Sequence, residues 1–413
     1  MSVQLTSLPQ EVNELVLEHL EPADIISMRS TSKHFDLATL DRFSKMPMVH
    51  RIHIWTHDGL QSLVKISARP QLLRRLERIS ILVLQPPPPP PKPASSRAAR
   101  NGSKVLLHYN GLEKWKRWEQ ERVPDDETGF NGLTTIFRNM KQAGKYITVT
   151  MTTDPNTLVH PRPPPRIYGM QRLLDRLGHK TEAWHLDGGN SEPVCVSLVR
   201  AINKSRCRVR CLDIGKSYYT GLQRPQAFQS LRDGRASCWG WLVTLSVTLT
   251  TSRSSARDGD GVTCMLGFRE LMQATWCLQR LEIHEPFMKP MEPDEFPRVR
   301  NFWMSIAEAV FYAHLTHLLV RNTTAPEDIY TNLLWSQRNS IQSLKMVSAS
   351  HSEGHGWHKL FTVLLQAPNL DDIELRSLFN RDGSDIILLS RGWNAVQATL
   401  QREIANAVRP AAT

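Results

Sequence analysis

The chain has 413 residues and a formal net charge of +11. That length holds one large domain or two to three ordinary ones, and no stretch reaches the apolar length of a bilayer span, so no membrane partner is expected. Its Lys and Arg are spread along the chain without a clustered stripe, which favours salt-sensitive contact with acidic partners and gives no nucleic-acid module. In chain order, three short helices come first. Apolar residues at Leu8, Val12, Leu15, Val16 and Leu20 recur every three or four positions and share a helical face, with Pro9 tolerated at its start. A second helix starts at Pro22 and Asp24, ahead of Ile25, Ile26 and Met28. A third fits Lys33 to Leu40 and carries Phe35, Leu37 and Leu40 on its buried side. Three helices in so few residues cannot cover all their apolar surface, so something else must.

The same stretch resembles a known family. Leu8-Pro9-x-Glu11, then Leu15, Leu17 and Leu20, then Asp24-Ile25, Met28-Arg29 and Ser32-Lys33-x-Phe35 is similar to an F-box, without a gap in the spacing. The departures are mild: Val12 and Met28 replace commoner Leu or Ile, and Ser30-Thr31 replaces a more apolar step. The resemblance covers residues 4–45. It implies a three-helix bundle that docks on the small Skp-family adaptor of Skp–cullin–F-box ubiquitin ligases, and through it reaches a cullin. It also implies that Leu8, Pro9, Val12, Leu15, Leu20, Ile25, Met28 and Phe35 form the adaptor contact. The plain alternative is an amphipathic helical pair that caps the fold.

Residues 46–410 form the rest. A first strand and helix are expected in 46–84, with Arg51-Ile52-His53-Ile54-Trp55 alternating in strand fashion. Pro86 to Pro91 is an unbroken proline run followed by a basic, small-residue stretch, and 86–103 reads as a disordered insertion. The run could serve an SH3- or WW-type groove, but an insertion between elements is the simpler reading. Pro161 to Pro165 is a second such loop. Between the two lie a charged helix around Trp115 and Trp118 and a strand from Tyr146 to Met151. Arg253 to Gly261 is a polar surface loop.

A short phrase then recurs: Leu76-Ile79-Ile81, Val209-Leu212-Ile214, Leu242-Leu245-Val247, Leu278-Leu281-Ile283, Leu315-Leu318-Val320, Ile341-Leu344-Met346 and Leu370-Ile373-Leu375. Its last two residues are two apart, so in a strand they face the same way. Helical spacing fills the intervals at Phe268 to Cys277, Phe302 to His314, Pro326 to Gln337 and Trp357 to Leu365. The fold class expected is therefore α/β: the N-terminal helices followed by an irregular solenoid of parallel strands with outer helices. The phrase resembles a leucine-rich repeat. Its central residues, from Leu212 to Ile373, are spaced 33, 36, 37, 26 and 29 apart, against about 20–29 in that family. The usual Asn after the phrase is missing, and Asn322 falls one place early. A doubly wound α/β domain is the alternative. Trp393, Val396, Leu400, Ile404 and Val408 mark a closing amphipathic helix.

Chemistry is sparse. The six cysteines (Cys195, Cys207, Cys211, Cys238, Cys264, Cys277) lack CxxC spacing and read as reduced core thiols. Asp258-Gly259-Asp260-Gly261 has the wrong spacing for a calcium loop. His351, His355 and His358 could share a helical face, but Gly354 and Gly356 break it. No phosphate loop, GxSxG elbow or kinase signature is present, so no cofactor, metal or catalytic residue is expected. No secretory leader is expected either, which places the chain in the cytoplasm, the nucleus or both. The reading that follows is a substrate-recognition subunit of a Skp–cullin–F-box ligase. Its unidentified substrate protein is expected on the inner strand face at Arg280, Glu282, His284, His317, Arg321, Lys345 and Glu374, beside Ser343, Asp372 and Arg376. The rivals are an F-box scaffold outside any ligase and an α/β enzyme.

Overall fold

A computed structural model describes residues 9–20, 22–40, 50–83, 126–152, 167–168, 191–214, 238–248, 261–285, 296–311, 313–323, 325–349, 357–379 and 385–408, with positions 116, 120, 123 and 228. Leu8, Trp115, Trp118, residues 86–103, 161–165 and 253–260, and His351 and His355 lie outside the described residues.

Three helices open the structure: α1 (Gln10–His19), α2 (Pro22–Thr31) and α3 (Lys33–Ala38). There follow β1 (His50–Ile54), α4 (His57–Ser67), α5 (Pro70–Leu73), β2 (Arg78–Leu82), α6 (Asp126–Gln142), β3 (Tyr146–Thr152) and the two-residue β4 (Ile167–Tyr168). Next come α7 (Ser191–Ser205), β5 (Arg208–Ile214), β6 (Thr244–Thr248), α8 (Gly261–Ala274), β7 (Arg280–His284), α9 (Phe296–Val310) and β8 (His317–Arg321). The chain continues through α10 (Glu327–Gln337), β9 (Ser343–Val347), α11 (His358–Leu365), β10 (Asp372–Phe379), β11 (Asp385–Arg391) and α12 (Trp393–Val408).

The strands make one 11-stranded sheet in the order β11-β10-β9-β8-β7-β6-β5-β3-β2-β1-β4. From β1 to β10 they are parallel and neighbours in chain order, save that β4 sits outside β1; β11 returns antiparallel to β10. A doubly wound sheet reverses its strand order at a switch point. No such reversal occurs between β5 and β10.

The recurring phrase explains this order. Ile79, Val149, Leu212, Leu245, Leu281, Leu318, Leu344 and Ile373 form one row across the sheet. Ile81, Met151, Ile214, Val247, Ile283, Val320, Met346 and Leu375 form the next. All sixteen are buried in a single core that also holds the apolar faces of the helices. A one-residue slip of any strand would turn its pair to the other face, so burial fixes the register. Helices α8 to α12 pack on one another in chain order, and Val396 and Leu400 of α12 bury at the far end of the core. In β1, by contrast, Arg51, Ile52, His53 and Ile54 are all buried, so the expected alternation does not divide covered from open positions there.

Polar side chains stitch successive units. The Glu327 carboxylate accepts from the Lys359 and Leu360 N–H groups at 2.9 and 3.3 Å, satisfying two of the unpaired donors at the start of α11. Gln337 accepts from the Leu315 N–H at 3.0 Å and donates to the Val310 carbonyl at 2.9 Å. Asn322, Ser348 and Ser377 each follow the fifth residue of a strand's parallel register and adopt φ of 56°, 55° and 52°. The left-handed region is reached most easily by Asn among residues with a Cβ. Asn322 also donates its side-chain amide to the Glu285 carbonyl at 3.4 Å. An asparagine one place early in the sequence therefore still ties one strand end to its neighbour.

Candidate functional site

Two surfaces bear on function, and the helices supply the first. Pro9 stands at the N-cap of α1 with extended backbone. The Ser32 hydroxyl accepts from the Phe35 N–H at 3.3 Å and starts α3. Among the described side chains, one residue of each helix is buried: Leu17, Ile25 and Phe35. Leu15 stands two positions from Leu17 and Leu37 two from Phe35, and in a helix two positions turn the side chain about 200° to the opposite side. Accordingly Leu15 is 60% exposed, Leu37 70% and Val12 39%. Leu37 was expected on the buried side and is corrected by this geometry. Ile25 and Phe35, expected to meet an adaptor, are buried within this chain. Pro9 is exposed, while Leu20 and Met28 are half-buried.

The helices are joined to the sheet body at Asp36. Its carboxylate pairs with Arg29 of α2, and with Arg69 at 2.8 Å just ahead of α5. Hydrogen bonding from Arg69 holds the Asp36 carboxyl below the usual carboxylate range, which keeps the pairing ionised. Leu40 buries against Leu72 and Ile66 beside it.

The second surface is the strand face opposite the apolar rows. Register places Arg280, His317, Ser343, Asp372 and Arg391 in one row, and Glu282, Leu319, Lys345, Glu374 and Leu389 in the next. A third row holds His284, Arg321, Val347 and Arg376. All seven residues expected to meet a substrate stand on this face. Their charges largely engage one another. Glu282 pairs with Arg280 at 2.6 Å and lies 3.8 Å from His284. Lys345 reaches Glu374 at 2.9 Å, which in turn meets Arg376 at 2.7 Å. Ser343 donates to Asp372 at 2.9 Å, and Arg391 lies 3.6 Å from the same carboxylate.

Exposure was expected throughout, and Glu282 departs from it by being 6% exposed. Strands about 4.8 Å apart crowd side chains of one face together, and Glu282 lies beneath its own Arg280. His284, Arg321, Lys345 and Glu374 are half-covered, while Arg280 and His317 are open. A cavity of about 580 Å³ opens here, with Arg280, His317, Lys345 and Asp372 among its lining residues. Burial and then the Arg280 charge lower the His317 pKa, which favours the neutral imidazole. The Lys345 hydrogen bond lowers that of Glu374, so this carboxylate stays charged. The arrangement offers fixed positive and negative groups at short range.

The described residues hold no cluster of three or more His, Cys, Asp or Glu able to bind a metal, and no helix long and apolar enough to cross a membrane. Burial drives the Cys207 thiol up to about 12 and Cys238 up to about 11, so neither supplies a thiolate nucleophile.

Comparison with protein families bears on the first surface. The F-box domain family matches residues 5–35, which run from just before α1 into α3. Residues 5–35 of this chain thus carry an F-box domain. F-box domains bind Skp-family adaptors, and F-box proteins are typically non-catalytic adaptor subunits of ubiquitin ligase complexes. No curated protein matches the chain.

Proposed function

We propose that this protein is the substrate-recognition subunit of a Skp–cullin–F-box ubiquitin ligase, acting in the cytoplasm, the nucleus or both. The observation that carries the reading is the F-box match at 5–35 on helices that leave Leu15 and Val12 open. An apolar side chain that its own bundle cannot cover gains free energy when a partner covers it. The adaptor contact comprises Leu8, Pro9, Val12, Leu15, Leu20 and Met28, with Ile25 and Phe35 holding the helices from behind. Residues 46–410 act as an irregular leucine-rich-repeat-like solenoid. Chain-order parallel pairing, the two apolar rows and the left-handed residue at the strand ends support that description. A substrate protein lies along the charged strand face, where Arg280, His317 and Lys345 are its nearest contacts. Catalysis comes from proximity: the complex holds substrate lysines near a charged ubiquitin-conjugating enzyme, and this chain contributes no reacting group.

The test is reconstitution with a Skp-family adaptor and a cullin, followed by affinity purification and mass spectrometry. The wild-type chain should recover adaptor, cullin and a set of substrate proteins. The triple variant Arg280→Ala, His317→Ala, Lys345→Ala should keep adaptor and cullin and its far-ultraviolet circular dichroism and lose that set, at some cost in melting temperature because Glu282 and Glu374 lose their partners. Recovery of adaptor without cullin would replace the ligase reading with that of a scaffold acting elsewhere. Failure to bind an adaptor at all would sink both.

A further inference from the structure

The two ends of the sheet are finished differently. At one end the outermost strand, β4, is only two residues long. Short edges of this kind limit pairing with other chains. At the other end β11 runs for seven residues, pairs with β10 on one side, and has no strand on its other side among the described residues. Its sequence, Asp-Ile-Ile-Leu-Leu-Ser-Arg, has no proline and no internal charge. Ile387 is 62% exposed and Leu389 57%, whereas Leu388 between them is buried. Leu389 stands opposite Glu374 on the charged face, and Leu388 opposite Leu375 on the core side. The strand thus presents both an open backbone edge and two apolar side chains on one face beside it.

We infer that β11 pairs antiparallel with β11 of a second copy of this chain, extending the sheet across a two-fold axis through Leu388. The strand is self-complementary in that register and only in its neighbourhood. Ile387 of each copy falls opposite Leu389 of the other, which gathers four exposed apolar side chains into one cross-strand cluster. The acidic position 385 of each copy likewise falls opposite the basic position 391 of the other. An isologous two-fold contact requires this kind of self-match, and a strand with like charges at both ends would not provide it. The helices do not oppose the pairing in principle, because a two-fold axis normal to the sheet keeps α12 of both copies on the helix side. A seam of seven residues a side is smaller than the ~800 Å² per partner typical of stable interfaces, so the dimer is reversible. Each dimer would carry two F-boxes at the outer ends and two substrate faces toward the middle, doubling the attachment points for one substrate assembly.

The test is light scattering coupled to size exclusion on the full chain, from low to high micromolar concentration. The wild type should rise from monomer to dimer mass with concentration. The variant Ile387→Lys with Leu389→Lys sets like charges against each other across the seam and should weaken dimerisation by about tenfold or more. The variant Ile387→Glu with Leu389→Glu should do the same. Both replace exposed side chains, so far-ultraviolet circular dichroism should stay at the wild-type spectrum, although Leu389→Glu faces Glu374 and should lower the melting temperature slightly. An equimolar mixture of the two variants should regain the dimer, because each Lys then faces a Glu. A wild type that stays monomeric throughout overturns the inference and leaves the edge to an extended segment of another protein. So does a dimer undiminished in the lysine variant, or a mixture that fails to associate.

Discussion

Replacing Val12 and Leu15 together by alanine gives the sharpest measure of the adaptor-docking face. Full removal of such a side chain from water contributes about 1.5–3 kcal/mol. Leu15 is 60% exposed and Val12 39%, so covering what remains is worth roughly 1–2 kcal/mol for Leu15 and about 0.5–1 for Val12 by the same proportionality. Alanine retains part of this through its methyl group. The double variant should therefore bind a Skp-family adaptor about 2 kcal/mol more weakly, or roughly thirtyfold. Folding should hardly change, since Leu17, Ile25 and Phe35 fill the inside of the bundle and are untouched. Isothermal titration calorimetry reads the affinity, and a thermal melt of the free chain checks the fold. Because the contact is apolar, the affinity loss should persist at high salt. Adaptor affinity within twofold of wild type, with the melt unchanged, would refute the assignment of this face.

Two further predictions concern the body of the fold. Burial pushes the Glu285 carboxyl up to about 8, against an ordinary value near 4.5, and Trp303 donates to it at 2.9 Å. The native state therefore holds a proton that the unfolded chain releases. Its stabilising effect is complete below about pH 4.5 and is lost as pH rises toward 8, at up to about 1.4 kcal/mol per unit. Glu285→Gln keeps the acceptor and removes the titration, so its melting temperature should be flatter than wild type over that window; parallel profiles would contradict the burial argument. Glu327→Ala strips the acceptor from the part-buried Lys359 N–H and the buried Leu360 N–H. It should cost about 1–3 kcal/mol in chemical denaturation, whereas an effect under a few tenths would show that α11 starts unaided.

Much of this was legible in the sequence, for physical reasons that differ by element. The recurring phrase announces parallel strands because its last two leucines can hide together only on one face of a pleated chain. Residues 317–321 and 343–347 follow it, as does the helix between them, Glu327–Gln337. The opening helices were legible as well, since apolar spacing, Pro9 and the Ser32 cap are local signals. Their orientation was not. Spacing gave Phe35 and Leu37 the same standing as buried residues, although two helical positions point them to opposite sides.

What the linear order of residues determined was which segments become strands and helices, and that the N-terminal helices would be left incompletely covered. Tertiary structure decided everything that depends on neighbours brought from afar. Strand pairing set Glu282 beside Leu319 in a row where it is buried, and set Lys345 against Glu374. Antiparallel pairing with β10 placed β11 at the sheet edge, with no further strand beside it among the described residues. Local sequence acts through the covalent geometry of a few residues, whereas burial and charge pairing depend on distances between strands, and only the assembled sheet sets those.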